Sequence, residues 1–231
     1  MTELFGMPID WVAIWTTVKI SFLTTAILML LCIPIAWKIA RSQSVWRVPI
    51  EAVVALPLVL PPTVIGFYLL IVMNPHGYLA DFLRLFGHDG RLTFTFTGLI
   101  IGSVFYSMPF MMQPLIHAFE QVPQSLVDAA KTMRASSLDW FWHIVMPLSR
   151  RGVLTAATLT FAHTVGEFGV VLMVGGNIPG ETRVIATAIF DHVEALEYPE
   201  AHILSLMMIG FALTVLMTVY ALNRKFQIRT H

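Results

Sequence analysis

Residues 120–151 read EQVPQSLVDAAKTMRASSLDWFWHIVMPLSRR, a polar island in an otherwise apolar chain. Apolar runs long enough to cross a bilayer stand on both sides of it. Inside the island, two patterns place apolar residues at i, i+3, i+4 and i+7. The first is Leu126, Ala129, Ala130 and Met133; the second is Leu138, Phe141, Trp142 and Val145. That spacing predicts two short amphipathic helices, each burying one narrow stripe and leaving its other face wet. Pro123 suits the opening turn of the first, and Ser136 or Ser137 can cap the second. Two such helices at a membrane surface suit docking onto a partner; a solvated loop with incidental periodicity is the plainer alternative.

The rest of the composition sets the class. A chain of 231 residues allows one domain or a small pair, but 57% hydrophobic and 12% charged residues, with a mean hydropathy of +0.75, describe a membrane protein. The single Cys32 lies in an apolar run, so neither a disulfide framework nor a cysteine metal site is available. The eight histidines are scattered, with no H-x3-H pair and no HExxH, so no metal site is expected. Methionine and phenylalanine, at thirteen and sixteen copies, read as lipid-facing or packing residues. Fourteen basic residues balance fourteen acidic ones, which argues against nucleic acid as a partner. No G-x4-GK[ST] motif is present, so no P-loop ATP hydrolysis is expected on this chain. No cluster of titratable groups suits chemistry either, and neither catalytic residues nor a cofactor are expected. The N-terminal MTELFGMPIDW lacks a basic n-region, so no cleaved signal peptide is expected.

Working outward from the island, span three runs from about Phe96 to His117, bent in its inner half by Pro109 and Pro114. Span four runs from about Gly152 to Val174 and is rich in the small residues that let helices pack closely in lipid. Span one, about Trp11 to Ala40, is longer than a bilayer core needs; it tilts, bends at Pro34 or protrudes. Span two, about Val48 to Met73, carries LPLVLPP from Leu56 to Pro62. Its prolines Pro57, Pro61 and Pro62 remove backbone donors and must kink or break the helix. Broken backbone at membrane depth is tolerated where it is buried in protein or lines a cavity, so these prolines are candidates for a translocation path; a packing kink is the alternative. Residues 74–95 form a polar loop with a short surface helix at Tyr78 to Phe86. Residues 175–200 are polar and acidic, with a short helix between Glu181 and Glu194, and span five runs from about Ala201 to Leu222. The reading is an all-α membrane protein of about five transmembrane helices. It forms a single transmembrane domain over 1–231, with its core at about 11–223.

Basic residues near the span ends orient it. Lys38, Arg41 and Arg47 follow span one, Lys131, Arg134, Arg150 and Arg151 lie in the island, and Arg224, Lys225 and Arg229 close the chain. The opposite side has Arg84, Arg91 and Arg183. Ten against three places the island and the C-terminus in the cytoplasm and the N-terminus outside, in a multi-pass protein of the cell (inner) membrane. No internal repeat makes the halves a pseudo-dimer, so one chain is expected to supply half of a pathway.

Asp128-Ala129-Ala130, then Arg134, then Ile144-Val145-Met146-Pro147 resembles the EAA loop of ABC-importer permeases, E-A-A-x3-G-x9-I-x-L-P. Asp128 stands for Glu, which keeps the charge on a shorter arm. Arg134 stands where the family usually has Gly, at a helix end whose left-handed conformation costs energy in a residue with a Cβ. LPLVLPP and GEFGVVLMVGGNIPGETR, Gly166 to Arg183, resemble the molybdate-type permeases, with sulfate permeases as near neighbours sharing the GE(F/Y)G…GNI layout. The resemblance covers nearly the whole chain. It implies the type I importer fold, a homodimer of permeases on a cytoplasmic ABC ATPase dimer that binds ATP and Mg, fed by a periplasmic or extracellular oxyanion-binding protein. It also implies a coupling role for Leu126, Asp128, Ala129, Ala130, Met133 and Arg134. Gly166, Glu167, Gly169, Asn177, Gly180 and Arg183 join the three prolines as candidates for the path or gate.

Glu167 is a carboxylate inside a span, expensive there and usually paired or functional. An importer of a dianion gains nothing from a negative charge on its route, so Glu167 suits an interhelical anchor better than a ligand; a gating contact is the second option. Helix rise puts it roughly 12 Å below the outer surface, a depth similar to that of Lys19, and predicts a Lys19–Glu167 pair. His163 or hydroxyls are the other partners open to it. Arg183 can attract an arriving oxyanion or form a salt bridge with Glu181 or Asp191. The function expected is the permease of an ATP-driven molybdate importer working by alternating access. Tungstate or sulfate are the alternative cargoes, and a passive channel, which needs no docking island, is the alternative class.

Overall fold

The structure is a computed structural model that describes residues 3–4, 7–8, 10–85, 87 and 89–228, with side chains over 10–85, 87 and 89–221. Strands Glu3–Leu4 (β1) and Met7–Pro8 (β2) pair antiparallel; the remaining elements are helical. Helix α1, Trp11–Ala40, begins at Asp10, whose Oδ1 accepts from the Ala13 amide at 2.9 Å. Three of its hydroxyls turn back onto its own backbone: Thr17 donates to Ala13 O and Ser21 to Thr17 O, both at 2.8 Å, and Thr25 to Ser21 O at 2.7 Å. Those donors are thereby paired within the helix, while the buried Thr24 hydroxyl has no partner among the described residues. At about 1.5 Å per residue the helix outruns a bilayer core of roughly 30 Å, and Pro34 lies within it.

Span two is two helices, α2 (Arg47–Val59) and α3 (Pro62–Val72), meeting at 111°. Pro61 and Pro62 lack amides, and each forces the residue before it out of the helical region. Leu60 and Pro61 accordingly both have ψ of 139°. After α4 (Tyr78–Arg84) comes α5 (Phe96–Glu120), capped by Thr95, whose side chain accepts from the Gly98 amide. The expected surface helix ends at Arg84; its last residue, Phe86, lies outside the described residues.

The island holds α6 (Gln124–Thr132) and α7 (Ser137–Trp140). Pro123 caps α6 rather than lying inside it, and Ser136 caps α7, its Oγ accepting from the Asp139 amide at 3.2 Å. The second island helix is not separate from span four. A π-helical stretch, Phe141–Val145, joins α7 to α8 (Met146–Val165) without a break. The Met146 amide reaches back five residues to Phe141 O, and Pro147, which has no amide to give, follows it. The helix that carries span four therefore begins at Ser137, ahead of the apolar run that opens at Gly152. It is also broken where the sequence reading drew it whole: α8 stops at Gly166 and α9 (Gly169–Gly175) leaves at 60°. Helix α10 is Ile185–Glu194, shorter than the expected segment, and α11 is Tyr198–Ile228. Among the described residues, three helices are long and apolar enough to cross a membrane alone, and the two bent pairs bring the spans to five.

Helices α1, α5 and α8 form the centre. Leu28, Cys32, Ala36, Met111, Leu115, Phe119, Val153 and Ala156 make one buried cluster that continues into the island through Val127 and Val145. Helices α5 and α8 approach closely at Gly152, where a Cβ would stand 2.1 Å from that of Ala118. A second cluster, Leu69, Met73, Leu92, Val170 and Val174, ties α3 to α9. The first cluster makes the island part of the bundle's core, not a loose loop.

Candidate functional site

Two regions converge on the transport reading: an apolar face on the island and a pair of broken spans at the other end of α8. On α6 the inward residues are Val127, 1% exposed, and Ala130. Leu126, Ala129, Met133 and Arg134 point outward, Met133 with 83% of its surface accessible. The sequence reading placed Leu126, Ala129, Ala130 and Met133 on one buried stripe; the structure divides them, and only Ala130 packs inward. The physical reason is that α6 carries two apolar rows about one residue apart, and the bundle core takes Val127 with Ala130. On the second helix Val145 is buried and Phe141 half-buried, while Leu138 and Trp142 are exposed. Asp128 is exposed, accepting from Gln124 Nε2 at 2.8 Å and standing 3.6 Å from Lys131 Nζ.

The turn between the two helices is sharp because Arg134 adopts φ +60°. The Arg134 amide donates to Lys131 O at 2.9 Å and the Ala135 amide to Ala130 O at 3.1 Å. Those two bonds are the pair that closes a helix through a left-handed residue, the conformation the family's usual Gly takes without cost. The island is tied down by Arg41, which donates to Phe119 O at 3.2 Å and Val122 O at 2.6 Å and stacks on Trp37. Trp37 in turn meets Phe119, Trp140 and Phe141 with ring centroids 5.6 to 5.9 Å apart. Near the same end, His117, Gln121, Arg150 and Arg151 line a cavity of about 670 Å³.

At the far end, the two breaks lie against each other. A Cβ on Gly169 would stand 2.6 Å from Pro62 Cβ, and one on Gly66 would stand 2.7 Å from Met173 Cβ. Helices α3 and α9 therefore pack closely at these glycines, with Pro61, Pro62, Gly166 and Gly169 flanking the joint; Pro57 sits a turn earlier, inside α2. Gly66 and Met173 were missed in the sequence. A lone Gly in an apolar run gives no sign of what it meets.

Glu167 sits in the α8–α9 break, 3% exposed, and both carboxylate oxygens lack a hydrogen-bond partner among the described residues. Ser103 and Tyr106 of α5 face it, but Ser103 falls short of hydrogen-bond geometry. The expected pair with Lys19 is not formed: Lys19 Nζ lies over the Trp15 ring at 5.3 Å. Equal depth did not bring them together because rotation about α1 turns Lys19 elsewhere. His163 is engaged too, bonding Ser107 Oγ through Nδ1 at 3.0 Å and stacking on Phe110.

In the loop after α9, Arg183 binds Asp191 at 2.9 Å, stands 3.8 Å from Asp10, and donates to Asn177 Oδ1 at 3.3 Å. Of the two salt bridges open to it, the structure forms the one with Asp191. Asn177, at φ +53°, also donates to Asp191, at 2.6 Å, and Gly180 turns the chain at φ +82°. Thr182 fixes the turn from inside, donating to Gly175 O and accepting from the Ile178 amide. This network pins the loop to the start of α1.

The family described as "Binding-protein-dependent transport system inner membrane component" matches residues 31–230. The "Molybdenum transport system permease protein ModB" of Azotobacter vinelandii is 53% identical over 215 residues, 93% of this chain and 95% of that protein. The protein of the same name from Escherichia coli (strain K12) is 33% identical over 187 residues, 80% of each. Among solved structures, a bacterial alginate ABC transporter in complex with an alginate pentasaccharide-bound periplasmic protein has a chain that superposes with a TM-score of 0.77. It covers 96% of this chain and 81% of its own at 18% identity, a likeness of fold.

Proposed function

Because the chain belongs to the family of binding-protein-dependent transport system inner membrane components, we propose that it is the membrane-spanning permease of an ATP-driven molybdate importer. The single observation that carries the cargo is the likeness to the Azotobacter permease, which runs through the island and both broken spans. In this reading two copies of the chain form the pathway. A cytoplasmic ATPase dimer, holding ATP and Mg, docks on the outward residues of α6, and a periplasmic oxyanion-binding protein delivers the anion. The basic residues at the span ends support an island facing the cytoplasm, although Arg229 lies outside the described residues and the side chains of Arg224 and Lys225 are not described.

The geometry supplies a lever. The π-helical stretch makes α7 and α8 one continuous rod from the turn that follows the docking helix α6 to Gly166, and α9 beyond the break packs on α3. Movement of the docked ATPases is thus delivered to the two helix ends that close on each other. That is the shape of a hinge between two access states. The pathway has no need of Glu167 as a ligand, since the residue is buried against α5.

The test is a complex of permease, ATPase and binding protein reconstituted in vesicles, assayed for uptake and ATPase stimulation with molybdate, tungstate and sulfate. Molybdate stimulation supports the proposal, preference for sulfate replaces the cargo, and uptake without ATP returns the passive channel. Orientation is read separately by cysteine labelling. Reagents added outside should reach 74–95 and 175–200 and should not reach Ser136→Cys.

A further inference from the structure

A second cavity, of about 490 Å³, opens where the last turns of α1 meet the second island helix. Its wall is almost wholly apolar: Leu30, Ile33 and Pro34 on one side, Leu138, Trp140 and Trp142 on the other. The volume lies within the range of small-molecule sites. Leu30 to Lys38 covers about 12 Å of helix, so the cavity runs from within the hydrocarbon to the interface. Tryptophans gather at its island end, the level at which indole rings straddle headgroup and chain. Leu30 lies too deep for a water-soluble partner to reach, and lipid is the solvent at that depth.

One cation lines the cavity. Lys38 is exposed and enters no ion pair among the described residues. The neighbouring cations are engaged: Arg41 holds the carbonyls of Phe119 and Val122, and Lys131 stands near Asp128 with its ammonium 6.0 Å over Trp140. A lysine at the rim of an apolar slot extends its stem along the wall and its ammonium to the surface.

We propose that this cavity is a lipid site, seating an acyl chain of an anionic phospholipid whose phosphate is held at Lys38. Occupancy fixes the junction of α1 with the rod that follows the docking helix α6. The site is independent of which oxyanion is imported.

The test uses the full-chain permease in micelles, with bound lipid counted by native mass spectrometry. The probes are phosphatidylglycerol, phosphatidylcholine and inorganic phosphate. Phosphatidylglycerol should be retained over phosphatidylcholine by about fivefold, the effect of one lysine at a membrane surface. Lys38→Gln should remove that preference and Lys38→Arg should keep it. Ile33→Trp, which fills the slot, should lower occupancy by both lipids with Lys38 intact. The proposal is overturned if Lys38→Gln retains the preference, if Ile33→Trp leaves occupancy unchanged, or if inorganic phosphate displaces the lipid. It is equally overturned if binding of the partner ATPase expels the lipid, which would assign this surface to docking.

Discussion

Gly169 lies directly against Pro62: the residue that opens α9 meets the residue that opens α3, with a Cβ on Gly169 only 2.6 Å from that of Pro62. Two helix starts, each made by a break in its span, thus bear on each other. Gly169→Ala should force the joint apart at a cost of about 1–3 kcal/mol, the usual cost of overpacking. Melting of the purified variant and uptake by the reconstituted complex check this. Wild-type values for both would show that the joint opens freely and is no gate.

Arg134 pays for its left-handed conformation. Arg134→Gly should stabilise the permease by up to about 1 kcal/mol, since Gly enters that region without steric cost. Arg134→Val, β-branched, should destabilise it by more than Gly gains. Denaturation midpoints of the three proteins give the order; a Gly variant less stable than the parent would mean that the guanidinium makes a contact worth more than the strain.

Ala129 and Ala130 are adjacent, but Ala129 is exposed and Ala130 is buried. Ala129→Arg should leave the permease folded and reduce ATPase copurification by at least about tenfold, a modest figure for a charge placed in a close-packed interface. Ala130→Glu should instead lower the stability of the permease itself, by about 3 kcal/mol or more, because the carboxylate would be buried without a partner. Copurification and melting, measured on both variants, separate the two effects. Equal behaviour would contradict the orientation of α6.

Lys19 and Glu167 should behave independently. The stability changes of Lys19→Met and Glu167→Gln, whatever their sign, should add in the double variant to within about 0.5 kcal/mol. A larger coupling would bring the two side chains together in another conformational state. Glu167→Gln keeps the shape and removes an ionisable group from a buried site, so by itself it should hold or raise stability. A loss of uptake at unchanged stability would mark Glu167 as a gating residue.

The elements were largely legible because what makes them is local. Pro61 and Pro62 break span two wherever they are placed, since a missing amide and a forced extended neighbour need no partner. Asp10, Thr95 and Ser136 start helices through bonds three residues away. The family pattern has a Gly at the position of Arg134, where a left-handed helix end costs a residue with a Cβ, and Arg134 adopts that conformation at φ +60°. The break at Gly166–Phe168 carried a signal as well, a charge between two glycines inside a span, but hydropathy alone runs straight through it.

What stayed closed depends on rotation about helix axes and on partners distant in the chain. Leu126, Ala129 and Met133 form one apolar row on α6, and Val127 with Ala130 forms another. The sequence contains both rows, and only the packing of α6 against the bundle makes the second one the core. Lys19 and Glu167 have matching depth, yet depth is one coordinate of three, and the turn of α1 sets Lys19 over Trp15. The sequence by itself determined the membrane class, the five spans, the island and the family pattern, because hydropathy, proline and capping act within a few residues. Only the tertiary structure decided that Gly169 meets Pro62, that Arg183 binds Asp191, and which face of the island is free to dock, because each of those rests on how helices far apart in sequence turn toward one another.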